Sequence, residues 1–306
     1  GVGKGGLLPF AHGGPGEIQP KVIERGENYK ILEYEGGHWR RIHYRPHSIH
    51  YYNFPVTTAA DLEKLVLPDM LDPARFRDVE EDCRTLKEAG LVPTGSIQGF
   101  FSGIHNSFMA FEDTLVNLML EPDFMRDVTA RLARMSLDAA RMMLDRGVEI
   151  IDVADDLGNA AGLLISPTLF RDYFLPWYEE LVSLVHGKGG FVHMHSHGNI
   201  APILPDLIQI GIDIMNPFDW DENPDLPDLV RRYGDKLIFC GGLTGALYQF
   251  DSEEVKRMIH RACALSEIAE RGYIFMYSSG PEDLPLSEWE LWQRIIRNAR
   301  RARYPV

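Results

Sequence analysis

The chain has 306 residues, of which 45% are hydrophobic and 25% are charged, the ordinary balance of a globular protein. It carries 45 acidic against 31 basic residues and a net charge of −14, which argues against nucleic acid or an anionic membrane as the main partner. No apolar run reaches the ~18 residues that a membrane span needs. Three widely spaced cysteines suit a reducing compartment, so we expect a soluble cytoplasmic protein.

The predicted elements follow the chain in a regular alternation. Residues 1–20 are rich in glycine and proline and are expected to form a loop; 29–52 is predicted to be a β-ribbon, with a short helix after Thr57-Thr58. Apolar residues at helical spacing predict helices over 75–89, 122–146, 167–187, 225–233, 251–270 and 286–302. Short apolar runs predict strands over 92–98, 149–154, 190–195, 212–216, 237–240 and 273–277.

The alternation of helices with almost wholly apolar strands predicts a parallel sheet covered on both faces. No linker divides the chain, so we expect one domain over residues 1–306, with residues 1–53 as an N-terminal loop and ribbon. The predicted fold is α/β, a TIM (β/α)8-type barrel with an N-terminal β-ribbon extension. A doubly wound open sheet is the alternative, although no GxGxxG motif follows the first strand.

Polar residues collect where the predicted strands end, which is where barrel enzymes place their active sites. These residues are Asp155 and Asp156 after 149–154, His195 and His197 at the end of 190–195, Asn216, Cys240, and Ser278 with Ser279. The sequence therefore predicts an active site at the carboxyl ends of the strands.

His193, His195 and His197 alternate along one strand end, so their side chains share a face. Neutral imidazole is a preferred ligand of zinc and similar ions, and catalytic zinc sites use about three protein ligands. The pattern therefore favours His195 and His197 as metal ligands, with His193 deeper in the core. A hydrogen-bonded polar cluster without a metal remains the alternative, and Cys240 is either a further ligand or a buried strand cysteine.

Asp155 and Asp156 are candidates for acid–base catalysis, cation binding or substrate binding. Because consecutive residues diverge in direction, we expect only one of them to face the site, and the other interpretation is a helix N-cap. Phe100, Phe101 and His105 follow another strand end and are predicted to line a pocket. The arginines Arg40, Arg41 and Arg45 either cap the mouth of the barrel or lie on a solvated ribbon.

The order of these motifs resembles the uroporphyrinogen decarboxylase superfamily over roughly residues 54–300. The resemblance is carried by Asp155-Asp156, the run Gly162 to Pro167, His195-Ser196-His197-Gly198, the run Gly211 to Pro217, and Gly241-Gly242. It implies a TIM barrel and one of two activities: cofactor-free decarboxylation of a tetrapyrrole, or methyl transfer that uses zinc and a corrinoid.

The sequence departs from both branches. The substrate-binding Arg-Gln-Ala-Gly-Arg-Tyr segment of the decarboxylases is absent, and His195-Ser196-His197 replaces the His-x-Cys pair of the methyltransferases. The resemblance places Asp219 near an acidic ligand of some methyltransferases. Imidazole and carboxylate ligands leave a metal more Lewis-acidic than thiolates do, which suits the demethylation of an ether or metal-assisted lyase chemistry.

We therefore predict a zinc-dependent methyltransferase or demethylase that acts on a small methylated substrate with a corrinoid protein as partner. The expected metal ligands are His195, His197, Asp219 and Cys240, with Asp155 or Asp156 in catalysis and Asn216 in substrate binding. The alternatives are a cofactor-free decarboxylase that holds a carboxylate with Arg40, Arg41 and Arg45, and a non-catalytic corrinoid or small-molecule binding protein. We also expect the chain to form a homo-oligomer.

Overall fold

The computed structural model describes residues 4–6, 20–45, 47–159, 161–242 and 252–276. Most of the predicted glycine-rich loop over 1–20, the helix over 286–302 and the serines at 278–279 lie outside these residues. Within the predicted loop, Lys4–Gly6 form a strand instead. In the part of the chain that the structure describes, no helix is both long and apolar enough to cross a bilayer.

The N-terminal ribbon is an antiparallel sheet of four strands in chain order, which confirms the predicted ribbon and extends it. Its strands are β2 (Lys21–Arg25), β3 (Tyr29–Glu33), β4 (Trp39–Tyr44) and β5 (His47–Tyr52). The turn between β3 and β4 carries Glu35, which accepts two hydrogen bonds from Arg75, one of them 2.9 Å from Nη1 to Oε2. This ion pair joins the ribbon to the chain segment that precedes the first long helix.

The main sheet is parallel and has seven strands in the described residues. They are β1 (Lys4–Gly6), β6 (Val92–Gln98), β7 (Ile150–Ala154), β10 (Phe191–His195), β11 (Ile214–Phe218), β12 (Ile238–Gly242) and β13 (Tyr273–Met276). Two further short strands, β8 (Gly158–Asn159) and β9 (Gly162–Leu163), form a hairpin of their own. All six strands predicted from apolar runs are thus present.

The strand order follows the chain order from β1 to β13 without reversal. In a doubly wound sheet the order of the strands reverses at a switch point, so this alternative is wrong. The predicted closed barrel of eight strands is not formed by the described residues either. Their edge strands, β1 and β13, pair with β6 and β12 and not with each other.

The described residues also form ten α-helices, most of which connect successive strands. They are α1 (Ala59–Lys64), α2 (Val79–Glu88), α3 (Ser102–Ser107), α4 (Phe111–Leu120), α5 (Pro122–Leu144), α6 (Pro167–Tyr173), α7 (Leu175–Gly187), α8 (Leu204–Ile210), α9 (Leu226–Tyr233) and α10 (Ser252–Ser266). Local signals set several starts: the Ser166 hydroxyl accepts from the Leu169 amide, with Pro167 in the first turn of α6.

Two helix predictions need correction. The single helix expected over 167–187 is divided at Phe174 into α6 and α7, because Pro176 has no amide proton with which to continue the first helix. The helix expected from residue 75 begins as a 3-10 turn, Pro73–Phe76, and becomes α-helical only at Val79.

Side chains on the parallel strands form two sets. Ile97, Val153, Met194 and Met215 are buried in the hydrophobic core, and Gly95, on the same side of β6, lies against Met143 of α5. The opposite side carries polar residues at two levels, Ser96 beside Asp152 and His193, and above them Gln98, His195 and Asn216. This face of the sheet is therefore polar toward the carboxyl ends of its strands.

Candidate active site at the carboxyl ends of the strands

Asp155 holds the start of α3 and is fully buried. One carboxylate oxygen accepts the Ser102 amide at 2.6 Å, and the other accepts the Phe101 amide at 3.0 Å and the Tyr178 hydroxyl. Burial raises the pKa of Asp155, and these hydrogen bonds oppose the rise. Gly99 is required beside it, because a Cβ there would lie 2.1 Å from the Asp155 Cβ. Asp155 therefore stabilises the start of α3 from a distant part of the chain; it is not itself an N-cap residue, which for α3 is Phe101, and its catalytic role stays a prediction.

Asp156 is the aspartate that faces the site, with its side chain 50% exposed. Its Oδ1 atom accepts the His197 amide at 2.9 Å and lies 3.6 Å from His195 Nε2. The other ring nitrogen of His195, Nδ1, lies 3.1 Å from the Asn216 amide nitrogen. Burial lowers the pKa of His195, and Asp156 opposes that shift. Asp156, His195 and Asn216 thus form one row of polar contacts across three strand ends.

His197 stands beside His195, with ring centres 4.9 Å apart. Its Nδ1 atom lies 3.6 Å from Glu222 Oε1, and the second Glu222 oxygen accepts the Gly198 amide at 2.9 Å. Gly198 has a φ of +89°, and a Cβ there would lie 2.2 Å from the Asn159 amide nitrogen, so the loop requires glycine. No local sequence signal indicates Glu222, because it reaches this loop from the connection that follows a different strand.

His193 lies one level below, inside the sheet, as expected from its position in the strand. Its Nδ1 atom is 2.5 Å from Asp152 Oδ1, and Asp152 accepts the Ser96 hydroxyl at 3.3 Å. All three side chains are buried. This ion pair lies in the floor of the site and does not face its opening.

Cys240 and Asp219 lie farther along the row of strand ends. The Cys240 sulfur is buried, 3.6 Å from the sulfur of Met276, and Met276 also contacts the Asn216 amide at 3.6 Å. Asp219 is buried near Tyr273, whose pKa is raised by burial and by both Cys240 and Asp219.

The predicted metal ligands are not assembled into one site. His195 faces Asp156, His197 faces Glu222, and Cys240 packs against a methionine. Within the described ranges, no three His, Cys, Asp or Glu side chains are grouped so that they could hold one ion. The four-residue donor set does not fit a metal centre, and only the two neighbouring imidazoles keep the arrangement that the sequence suggested.

Most of the predicted aromatic lining belongs to the core. Phe100 and Phe101 are fully buried; Phe100 packs on Tyr178, and Phe101 on Phe174. Their predicted role in substrate binding is therefore wrong, because the α3 cap turns both rings inward. His105, one turn into α3, has edge contacts with Phe101 and Phe111, each with ring centres 5.1 Å apart. Burial lowers the pKa of His105 to about 4, opposed by Asp156.

The three arginines do not form a cluster. Arg40 and Arg41 are neighbours on β4 and point to opposite faces of the ribbon. Arg40 is 1% exposed, with its guanidinium carbon 3.9 Å from the centre of the Tyr34 ring, whereas Arg41 lies over Tyr29 on the other face. Arg45 is exposed in the turn after β4, five residues and about 16 Å of extended chain from Arg40. A shared carboxylate site for Arg40, Arg41 and Arg45 is therefore wrong.

The ribbon nevertheless contributes to the mouth of the site through Tyr51. Arg40 lies under the Tyr51 ring at 5.1 Å, and burial raises the pKa of the Tyr51 phenol, with a further increase from Asp156. Asp156 is thus the common neighbour of His105, His195, His197 and Tyr51. We call these five residues with Asn216 and Glu222 the mouth cluster.

Comparisons with known proteins identify relatives of the chain. Residues 40–287 match the model of the family described as Uroporphyrinogen decarboxylase (URO-D). A protein named uroporphyrinogen decarboxylase from Salinispora tropica is 24% identical over 251 residues, which cover 80% of this chain and 64% of that protein. A second of that name, from Chloroherpeton thalassium, is 19% identical over 238 residues, covering 74% and 65%.

The chain therefore spans less than two thirds of the length of these two relatives. A solved structure described as a methyltransferase from Methanosarcina mazei superimposes with a TM-score of 0.62 at 16% identity, covering 82% of this chain and 72% of the other. This similarity shows a shared fold.

Proposed function

The chain belongs to the uroporphyrinogen decarboxylase family, and from this membership we propose that it transfers a methyl group from a heteroatom of a small substrate, rather than decarboxylating a polycarboxylate. The structural similarity to a methyltransferase is consistent with this choice, because it covers most of the chain. We also propose that the parallel sheet closes into a barrel, which the unreversed strand order supports.

The observation that carries the proposal is the separation of the arginines from one another. A decarboxylase needs cations that hold the substrate acid, and planar guanidinium groups bind carboxylates best in pairs of hydrogen bonds. Arg40 is stacked and buried, Arg41 is on the far face of the ribbon, and Arg45 is distant. The mouth cluster instead presents the Asp156 carboxylate, which repels an acid.

The same residues suit the cleavage of a methyl ether. When the bond between the methyl carbon and oxygen breaks, its electron pair stays on oxygen, the carbon passes to a nucleophile, and the oxygen takes up a proton. Asp156 and His195 are the adjacent pair that can hold and deliver this proton. Asn216 fixes the orientation of the His195 ring from its other nitrogen.

Two cofactors belong to this proposal, a corrinoid and a divalent ion. We propose that the methyl acceptor is a corrinoid carried by a partner protein. A divalent ion would supply Lewis acidity to the substrate heteroatom, with His195 and His197, whose ring centres are 4.9 Å apart, as its expected ligands. The proton transfer described above is assigned to the chain's own residues and needs no ion.

The proposal is tested by supplying methoxylated or methylthiolated substrates with a reduced corrinoid and following methylcorrinoid absorbance. We expect Asp156→Asn to lower the rate about a hundredfold, the usual contribution of a positioned acid or base. Asp145→Asn is the matched control, because Asp145 is an exposed aspartate paired with Lys188. Equal rates in the two variants would remove Asp156 from the mechanism, and no methyl transfer by the unmodified chain would refute the proposal.

A second candidate, a decarboxylase, is favoured by the names of the two curated relatives. The same preparation decides between them when carbon dioxide release is measured from carboxylated substrates. Release that falls in Arg45→Ala and persists without a corrinoid would support the decarboxylase. Binding of a corrinoid or substrate without either reaction would support a non-catalytic binding protein.

A further inference from the structure

The two faces of the ribbon differ in character. One face carries Leu32, Tyr34 and Arg40, all buried, and Tyr51 at the mouth of the site. The pairing register places nine residues on the opposite face, which we call the outer ribbon face: Tyr29, Ile31, Glu33, Trp39, Arg41, His43, Ser48, His50 and Tyr52. Of these nine, Ile31 is buried and the others are half-buried or exposed.

The outer ribbon face presents aromatic rings around a cation. The Arg41 guanidinium carbon lies 5.1 Å from the centre of the Tyr29 ring and 5.7 Å from that of Tyr52. The one carboxylate among the nine residues, Glu33, accepts a hydrogen bond from the Trp39 indole at 3.2 Å. Tyrosine, tryptophan and arginine are the residue types most enriched in the energetically important parts of protein interfaces. The composition of this face therefore favours contact with another protein surface.

The ribbon also differs from the rest of the chain in charge. Residues 20–52 contain six lysine or arginine residues and four glutamates, so the ribbon has a net charge of +2 and the remainder of the chain one of −16. Complementary charge steers two protein surfaces together and fixes their register. A basic, aromatic face on an otherwise acidic protein therefore fits an acidic partner, and the body of a second copy is one.

A surface of that kind lies on α4. Thr114 and Leu118 are buried, whereas Val116, Met119 and Leu120 have exposed fractions of 53%, 68% and 69%. Four exposed acids flank these apolar side chains, and none of the four forms an ion pair within the described ranges: Glu112, Asp113, Glu121 and Asp123. Neighbouring exposed apolar residues with a polar rim are typical of an interaction site. We call these seven exposed residues the α4 patch.

We propose that the outer ribbon face of one copy docks on the α4 patch of a second copy of this chain. The rings of the ribbon cover the apolar side chains of α4, and Arg41 meets the flanking acids. Because each copy carries both surfaces, a two-fold dimer contains the contact twice. Tyr51 and Tyr52 are neighbours on opposite faces of β5, so the second copy supports the ribbon from the side away from the mouth. This inference does not depend on the proposed methyl transfer.

The test is the oligomeric state of the purified full chain, measured by sedimentation velocity at micromolar concentrations. We expect a dimer that dissociates about tenfold more readily when salt is raised from about 0.05 M to about 0.5 M, because salt screens exposed charges. Met119→Lys and Arg41→Glu should each weaken dimerisation about tenfold or more. The matched controls are Phe191→Lys, a half-exposed ring at the amino end of β10, and Arg257→Glu, an exposed cation on α10; both should dimerise normally.

Exchange of charge between copies gives a sharper test. Arg41→Glu chains repel the α4 acids, and chains with both Glu112→Lys and Asp113→Lys repel Arg41, so each preparation alone should be monomeric. Mixed together, they should form a heterodimer, because one contact is then native and the other pairs the two exchanged charges. His50→Glu, at an exposed position, replaces Arg41→Glu if circular dichroism shows that the latter does not fold.

A chain that is monomeric at all these concentrations would overturn the proposal. A dimer that survives both Met119→Lys and the ribbon variant would also overturn it, because the copies then meet through other surfaces. The same holds if the two exchanged variants fail to associate when mixed, or if the unmodified ribbon binds only a different acidic protein.

Discussion

The structural role assigned to Asp155 predicts a large loss of stability in Asp155→Asn. Asparagine has nearly the same shape, but it replaces one acceptor oxygen with an amino group. The two oxygens of Asp155 accept three hydrogen bonds, from the Ser102 amide, the Phe101 amide and the Tyr178 hydroxyl. The substitution therefore places at least one buried N–H against another donor at the start of α3.

The expected magnitude follows from these contacts. Loss of one hydrogen bond to a charged acceptor costs about 1.5–3 kcal/mol, and the orphaned N–H adds about 1–3 kcal/mol. Part of this cost is offset, because asparagine carries no charge. The penalty for burying a charged carboxylate, which raises the pKa of Asp155, is absent in the variant. We expect a net loss of about 3 kcal/mol, a large fraction of the 5–15 kcal/mol that is typical of a domain.

The assay is guanidinium unfolding followed by circular dichroism, with Asp156→Asn as the neighbouring control. Asp156 is half exposed, and an asparagine oxygen can still accept the His197 amide. The free energy of unfolding of Asp156→Asn should therefore change by less than about 0.5 kcal/mol. Tyr178→Phe should cost less than Asp155→Asn, because the carboxylate keeps both backbone donors. An Asp155→Asn variant of unchanged stability and abolished activity would refute the structural role.

Three further predictions concern stability and metal content. Asp213 is buried and contacts His186 Nε2 at 2.8 Å, Arg271 Nη2 at 2.7 Å and the Val192 amide. Asp213→Ala should therefore lower the free energy of unfolding, measured with denaturant, by about 2–4 kcal/mol. Because the pKa of His105 is lowered to about 4, the unfolded chain takes up that proton first, and stability is lost as the pH falls from 6.5 to 4. His105→Phe should reduce this loss by up to about 3 kcal/mol when midpoints at the two pH values are compared. Zinc added to the chain should be removed by dialysis against EDTA, since two imidazoles hold it loosely; zinc that resists EDTA by elemental analysis would show a fuller ligand set.

The sequence was sufficient for the strands and for the edge that carries the site. Short apolar runs bounded by glycine predict β6, β7 and β10 well, because strands that are covered on both faces are rich in apolar residues along most of their length. The alternation of His193 and His195 likewise places them on one face, with the deeper histidine in the core.

Other features depend on contacts between distant parts of the chain. Nothing near Asp155 indicates Tyr178, 23 residues later, and nothing near His197 indicates Glu222. The separation of Arg40 from Arg41, by contrast, was predictable, because adjacent residues of a strand face opposite sides. The inward turn of Phe100 and Phe101 was not, since it follows from the cap on α3.

The unreversed strand order bears on how the molecule folds. From β6 onward, each strand of the main sheet pairs with the main-sheet strand that precedes it in the chain, so the entropy of loop closure is lost in steps as the sheet grows. The ribbon is different, because it forms a sheet of its own and meets the rest of the chain through side chains such as the Glu35–Arg75 ion pair. We expect the mouth of the site, where ribbon and sheet meet at Tyr51 and Asp156, to be completed after the sheet itself has formed.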